Sequence, residues 1–513
     1  ALLVGLASLA VARRWDANDF MGHEFSSINI LHVTDVHSWV SSHRHEPMYN
    51  ADYGDLASFA ERAKAEASRQ GKDLFFFNSG DIVDGTGLSD ASDVHGQFLL
   101  PILSSMPFDA LTVGNHELYK DVTVEEIQAS KFIQGWQGAY LTSNVKLRES
   151  NTFMGNTHIF LHGKHGTRLL VLGFIYDMTD NSDLVIVETV NTTVQQPWFQ
   201  NVVSSADVDA IVLLTHMGYD SPTLTTLHTA TRALRPDLPL VFLAGHTHIR
   251  AYERLDADAV VLESGRYFDT VGFLGWDKGD TARNGTVFDQ AFVDANVEEF
   301  CQFVGVTKTN LTTPLGTLVK EEITGARQAL DLDTVLGNSD VHYNASLALG
   351  LPDSLWDLYI NQVVPQAVFP NTSATGRFVA STGALRYDIF KGNVTRDDCF
   401  TVAPFRDAFY RVDPQLSGKA TQEVMALLLA TGVAEATAMR TPMSSLPDYV
   451  VSGTQLKPDE SYQLYVPHFD RPAVMDAIHQ ITGQEPSTQV VGQGHFDSST
   501  IWEQFVAKNW NRA

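Results

Sequence analysis

Ile28-Asn29-Ile30-Leu31-His32-Val33-Thr34-Asp35-Val36-His37 is a short apolar run that breaks into Asp and His. The same order returns four times before Trp276. Leu74-Phe75-Phe76-Phe77 leads to Gly80-Asp81-Ile82-Val83-Asp84-Gly85, and Ala110-Leu111-Thr112-Val113 leads to Gly114-Asn115-His116-Glu117. Ile211-Val212-Leu213-Leu214 leads to His216, and Leu240-Val241-Phe242-Leu243 to Gly245-His246-Thr247-His248. Runs this short, rich in β-branched and aromatic residues, predict strands buried on both faces. Between them lie helical patterns, as in Asp55 to Glu66, where Leu56, Phe59, Ala60 and Ala63 recur at helical spacing. Alternating strands and helices make an α/β domain, and ligand chemistry in such domains gathers at the carboxyl ends of the strands. The polar clusters fall there.

A lone His at a strand end is usually structural, and Gly-Asp before a loop is usually a turn. Five such loops in succession are a different matter, because each supplies oxygen or imidazole donors that divalent metals accept. The pattern predicts a two-metal site. Two cations held close together repel, so a bridging carboxylate is needed, and Asp81 is the natural candidate. Asp35, His37 and one of the last two histidines then hold one ion; Asn115, His216 and the other histidine hold the second. A hydroxide between the ions is a nucleophile near neutral pH, and the metals neutralise phosphoryl oxygens during in-line displacement. His116 is placed to protonate the leaving oxygen, with an orienting role as the alternative. Mixed N/O ligands suit zinc, manganese and iron alike. His43 and His45 line the site mouth or a solvated loop, His95 is structural, and Asp84 either orients a ligand histidine or holds its own turn.

These motifs, Asp-x-His, Gly-Asp-x-x-Asp-Gly, Gly-Asn-His-Glu, His and Gly-His-x-His, resemble in full and in order those of the calcineurin-like metallophosphoesterase superfamily. The resemblance implies a four-layer α/β sandwich of two mixed sheets flanked by helices. It implies one metal on Asp35, His37, Asp81 and His248, and a second on Asp81, Asn115, His216 and His246. In the C-terminal half, Ser381-Thr382-Gly383-Ala384-Leu385-Arg386, Gly392-Asn393-Val394-Thr395 and Thr401-Val402-Ala403-Pro404-Phe405 resemble the substrate domain of 5′-nucleotidases. The architecture is shared with some fungal secreted proteins. This implies that Arg386 meets a substrate phosphate or carboxylate as a bidentate donor, and that Phe405 offers one face of a nucleobase clamp. Phe469 stands where the second clamp aromatic is expected.

The chain departs from the family in three places. The Asp three residues after the catalytic His is Tyr119 here, with Asp121 the nearest acid; Ser381 replaces an Asn; and a Gly-Gly-Asp-Gly loop near the C-terminus is missing. The reading is therefore a secreted phosphoric-ester hydrolase acting on a nucleotide or related monoester. The alternatives are a diesterase, nucleotide-sugar or non-nucleotide phosphatase, and a metal-binding surface protein on an inactive fold.

Composition agrees with a soluble, folded chain. The 513 residues are 44% hydrophobic, and 61 Asp+Glu against 35 Lys+Arg give a net charge of −26, which excludes the basic face of a nucleic-acid binder. Four regions are expected: 1–24, a signal-peptide remnant and N-terminal extension; 25–312, the phosphoesterase domain; 313–330, a linker helix; and 331–513, the substrate domain. The apolar start ending Ala10-Val11-Ala12 fits a signal peptide. N-linked glycans are expected at Asn191, Asn284, Asn310, Asn344, Asn371 and Asn393, each opening an Asn-x-Ser/Thr triplet. Cys301 and Cys399 are expected to pair in an oxidising compartment, with two buried free thiols as the alternative. No later stretch is apolar enough to span a membrane.

Overall fold

The structure, a computed structural model, describes residues 22–279, 285–369, 375–431, 446–453, 456–492 and 496–510. The apolar start of the chain, Asn284 and Asn371 lie outside these residues. Two compact units make up the chain. One contains the residues up to Val83 and Val94–Gly325; the other contains Asp84–Asp93 and the residues from Ala326 onward.

In the first unit, the five apolar runs form strands Ile28–Val33, Asp73–Asn78, Ala110–Thr112, Ala210–His216 and Leu240–Ala244. Each strand is buried along its whole length. They are divided between two six-stranded mixed sheets. The first runs Phe288–Asp294, Thr270–Trp276, Ile28–Val33, Asp73–Asn78, Ala110–Thr112, Tyr140–Leu141. The second runs Arg250–Asp256, Ala259–Ser264, Leu240–Ala244, Ala210–His216, Arg168–Ile175, His158–His162. The period-2 alternation of strand side chains explains the burial. Val212 and Leu214 point into the core between the sheets, with Ile28, Ile30, Phe75 and Phe77 from the other sheet. Ile211 and Leu213 point the opposite way, onto a layer containing Val194, Phe199, Val203, Leu224 and Leu227 from flanking helices. A cavity in either layer, as from Phe77→Ala, costs about 3–5 kcal/mol.

The helix expected over Asp55–Glu66 runs from Tyr53 to Arg69. It starts at a capping box in which the Asp52 carboxylate accepts from Asp55 N (2.9 Å) and Asp55 accepts from Asp52 N (3.3 Å). Its Phe59 ring stacks on Phe300 at 4.3 Å. Near the end of this unit the chain forms the strand Phe288–Asp294. That strand pairs antiparallel with Thr270–Trp276, so the ladder determines its conformation where the side-chain pattern is mixed.

The second unit has a five-stranded sheet in the order Tyr449–Val451, Gly376–Ser381, Ser461–Pro467, Phe409–Ser417, Ser487–Val491. Trp356, Tyr359, Phe378, Phe409 and Trp502 form its aromatic core, where Tyr359 stacks on Trp502 at 5.6 Å. The helix Gly418–Thr431 belongs to this unit as well.

The expected disulfide is not formed. Cys301 lies on the helix Val297–Val304 of the first unit and Cys399 on the helix Arg396–Val402 of the second, and both are free, buried thiols. A bridge needs Cα atoms about 4.4–6.8 Å apart, whereas each sulfur here is packed within its own unit. Burial raises both thiol pKa values, that of Cys399 far above the ordinary range. Among the described acceptors, Asn191, Asn310 and Asn393 are exposed and Asn344 is half-buried. No helix among the described residues is long and apolar enough to cross a membrane.

Candidate active site

The loops that follow the five strands meet at the carboxyl ends of both sheets. Two glycines allow the approach. A Cβ on Gly80 (φ 95°) would come within 2.4 Å of Gly114 N, and one on Gly114 would fall 2.1 Å from Asp81 Oδ1. The ligand candidates themselves adopt left-handed backbone: Asp35 (φ 50°), His37 (46°), Asp81 (53°), His246 (81°) and His248 (63°). For non-glycine residues this conformation is costly, and it clusters at functional sites.

Asp35, His37, Asp81 and His248 present one set of ligand atoms within 4.8 Å of one another; Asp81, His216 and His246 present another. Asp81 belongs to both. Its Oδ2 lies 3.1 Å from His216 Nε2 and 3.6 Å from His37 Nε2. His37 Nε2 and His248 Nε2 face each other at 3.0 Å, and His248 Nε2 is 3.4 Å from Asp35 Oδ1. Asn115 completes the second set: its Oδ1 is 2.9 Å from His216 Nε2 and 3.0 Å from His246 Nδ1.

The far sides of the rings are tied down. His37 Nδ1 donates to Val83 O (3.0 Å) and His216 Nδ1 to Ser79 O (2.8 Å), which leaves the inward nitrogens as lone-pair donors in the neutral rings. Imidazole lone pairs and carboxylate oxygens aimed at common points are the donor set of a divalent cation. The residues fit a dinuclear centre.

Electrostatics agree. Burial opposes a charge on Asp81, but His216, His116 and His37 outweigh it and hold the carboxyl well below its usual range. Burial likewise opposes a charge on His216, yet Asp81 and Asp35 raise it to about 10. Burial lowers His246 to about 4 and His37 well below the ordinary value. In the metal-free protein, a proton on His216 therefore answers the negative charge.

Two buried carboxylates hold the loops. Glu117 accepts from Gly114 N (2.7 Å), Asp81 N (3.0 Å), Ile82 N (2.8 Å) and Val83 N (3.2 Å), joining two ligand loops. Burial and the charge of Asp81 push it up to about 7, against the pull of those amides. Glu263 accepts from Thr247 N (3.0 Å), Thr247 Oγ1 (2.6 Å) and Tyr219 N (3.2 Å), fixing the loop between His246 and His248. Burial and then Asp35 raise it to about 8. Glu117 was visible as the acid that closes Gly-Asn-His-Glu; Glu263 lies inside an apolar strand and carried no local signal.

His116 N donates to Asp81 Oδ1 (3.0 Å), and its ring meets His37 edge-on at 4.8 Å and Tyr119 at 5.2 Å. Asp121 is turned elsewhere, its carboxylate accepting from Ser182 Oγ. His43, expected in a solvated loop, is buried: Nε2 meets Tyr267 O at 2.7 Å and Nδ1 meets Glu46 at 3.0 Å. Asp84 sits in a left-handed turn (φ 62°) whose amide donates to Ser89 Oγ. In the second unit, the Arg386 guanidinium lies over the Phe405 ring at 4.6 Å, both half-buried, and Phe469 is 43% exposed between Ser461–Pro467 and Arg471–Thr482.

The calcineurin-like phosphoesterase family matches residues 28–250, a span that contains every one of these ligand candidates. The chain belongs to that family. Residues 342–471 match the NAD nucleotidase C-terminal domain, so this phosphoesterase is a two-domain, 5′-nucleotidase-like protein. It is 30% identical over 470 residues to an uncharacterized protein of Schizosaccharomyces pombe, covering 83% of this chain and 78% of that one. A protein of Arthroderma benhamiae named as secreted is 29% identical over 434 residues, 75% of this chain and 65% of the other. Among solved structures, the 5′-nucleotidase of Candida albicans superposes with a TM-score of 0.85 at 25% identity, over 95% of this phosphoesterase and 99% of that chain. The 5′-nucleotidase precursor of Thermus thermophilus shares the fold at a TM-score of 0.68 and 15% identity, over 95% and 97% of the two chains.

Proposed function

We propose that this phosphoesterase is a secreted hydrolase that releases phosphate from a nucleotide 5′-monoester. The observation that carries the reading is the sharing of Asp81 between two converging donor sets, in a chain that superposes on a 5′-nucleotidase along nearly its whole length. Asp35, His37, Asp81 and His248 hold one divalent cation, and Asp81, Asn115, His216 and His246 the other, with zinc, manganese or iron as candidates. Such a pair, when bound, supplies a water nucleophile at neutral pH and neutralises phosphoryl oxygens. The chain does the rest. Glu117 and Glu263 keep the ligand loops in place, so little reorganisation accompanies the reaction. His116, its backbone tied to Asp81 and its ring against His37, gives a proton to the leaving oxygen. Arg386, held over Phe405, meets the anionic part of the substrate, and Phe405 and Phe469 offer aromatic faces to a base. Secretion is supported by the secreted relative and by the exposed glycan acceptors Asn191, Asn310 and Asn393.

The match of residues 342–471 to an NAD nucleotidase domain favours a second reading, in which the substrate is a dinucleotide or nucleotide-sugar pyrophosphate. Product release from AMP, NAD, a nucleoside-diphosphate sugar and a cyclic nucleotide, with manganese or zinc and with chelator, separates the two. Fastest turnover of AMP, abolished by chelator, is expected. His116→Ala should lower kcat by about 10²–10⁴-fold with metal content unchanged. Clean protein that hydrolyses none of the panel in any metal refutes the enzyme reading.

A further inference from the structure

We propose that Tyr119 is the positioning residue that keeps the oxygen of the Asn115 carboxamide, rather than its nitrogen, directed at the second cation. This rests on the dinuclear phosphoesterase reading above. A carboxamide has two ends of nearly equal size, but only the oxygen has lone pairs for a cation; the NH₂ group can only donate. In the structure Asn115 Oδ1 lies between His216 Nε2 (2.9 Å) and His246 Nδ1 (3.0 Å), and Nδ2 donates to the Tyr119 hydroxyl at 3.1 Å. Asn115 is fully buried, so in the ligating orientation its NH₂ needs an acceptor, and Tyr119 provides one. Without that hydroxyl, the buried NH₂ loses its acceptor in the ligating orientation, and the flipped amide, with Nδ2 donating to the His246 ring nitrogen, competes with it. A cation would then have to reverse the amide before binding.

The same residue shapes the neighbourhood of His116, because the Tyr119 ring packs edge-on against that imidazole at 5.2 Å. Tyrosine thus supplies a hydrogen-bond acceptor to one neighbour and an apolar wall to the other.

The test is stepwise titration of the metal-depleted full chain with Mn²⁺, followed by calorimetry and by the electron paramagnetic resonance of bound Mn²⁺. The unaltered protein is expected to take up two equivalents. Tyr119→Phe keeps the ring and should weaken the second equivalent about 10–100-fold while leaving the first within about twofold. Asn115→Asp removes the requirement altogether, since a carboxylate presents oxygen at both ends and has no N–H to satisfy. Adding Tyr119→Phe to Asn115→Asp should therefore change the second affinity little. Equal second-site affinity in Tyr119→Phe and the unaltered protein overturns the role of Tyr119 alone. So does an equal loss from Tyr119→Phe with and without Asn115→Asp, which would mark ring packing as the cause. No uptake by the unaltered protein overturns the metal centre and the Tyr119 role together.

Discussion

In the first unit, seven side chains from five loops converge, and three of them have a second partner that fixes their orientation: Val83 O behind His37, Ser79 O behind His216, Tyr119 behind Asn115. In the second unit, Arg386 and Phe405 are only half-buried where the guanidinium lies over the ring, and Phe469 stands 43% exposed. On the function proposed above, the contrast separates two tasks. Directing lone pairs at a cation requires positions held to fractions of an ångström, so it is built from buried groups with satisfied hydrogen bonds. Grasping a substrate that must enter and leave uses aromatic and guanidinium surfaces that keep access to solvent.

Three measurements bear on that contrast. Asp81→Asn removes the carboxylate common to both donor sets and should abolish uptake of at least one cation, lowering phosphate release by roughly 10³-fold or more. Retention of two tightly bound metals would break the contrast, because the rigid centre would then survive loss of its shared group. Arg386→Ala should lower kcat/KM by about 10–100-fold, carried mainly by KM, in line with roughly 1.5–3 kcal/mol for a charge-assisted hydrogen bond. Phe469→Ala should change it by less. Steady-state kinetics on AMP at constant metal content checks both, and a fall confined to kcat would move Arg386 from binding to chemistry. The smallest effect concerns pH. The pKa of Glu263 is raised by folding to about 8, so its contribution to stability is present below about pH 4.5 and is lost as pH rises through 8. Metal-free Glu263→Gln should start lower at pH 5, since its NH₂ cannot accept from Tyr219 N, and should lose about 2–4 °C less in Tm between pH 5 and 9. Parallel melting curves for the two proteins across that range would show that Glu263 does not titrate there.

The ligand loops could be read from the chain because each lies directly after a strand whose burial on both faces demands a continuous apolar run. Val212 and Ile211 illustrate the point: they face opposite layers, both apolar, so the stretch shows no alternation and stands out. The outer strands were harder to read. Arg250–Asp256 and His158–His162 lie at the edges of the second sheet, with side chains that are half-buried or exposed, and their conformation comes from the antiparallel ladder with a neighbour. The framework role of the two carboxylates was hidden for a related reason. Glu117 collects three of its four amides from residues more than thirty positions away, and no local pattern encodes that partnership. The fate of Cys301 and Cys399 was likewise a matter of tertiary packing, which places each sulfur in a different core.

The left-handed backbone at Asp35, His37, Asp81, His246 and His248 has a consequence for how such a protein changes over generations. Each of these residues carries a Cβ in a conformation that disfavours it by about 1–2 kcal/mol, and contacts around it hold it there: His216 pairs with Asp81, and the His246 amide donates to Asp35. Glycine at any one of them would relieve that strain but leave a buried partner unanswered, as His216 would be without Asp81. The strained backbone and the inward-facing side chains are thus one network, and neither changes without the other.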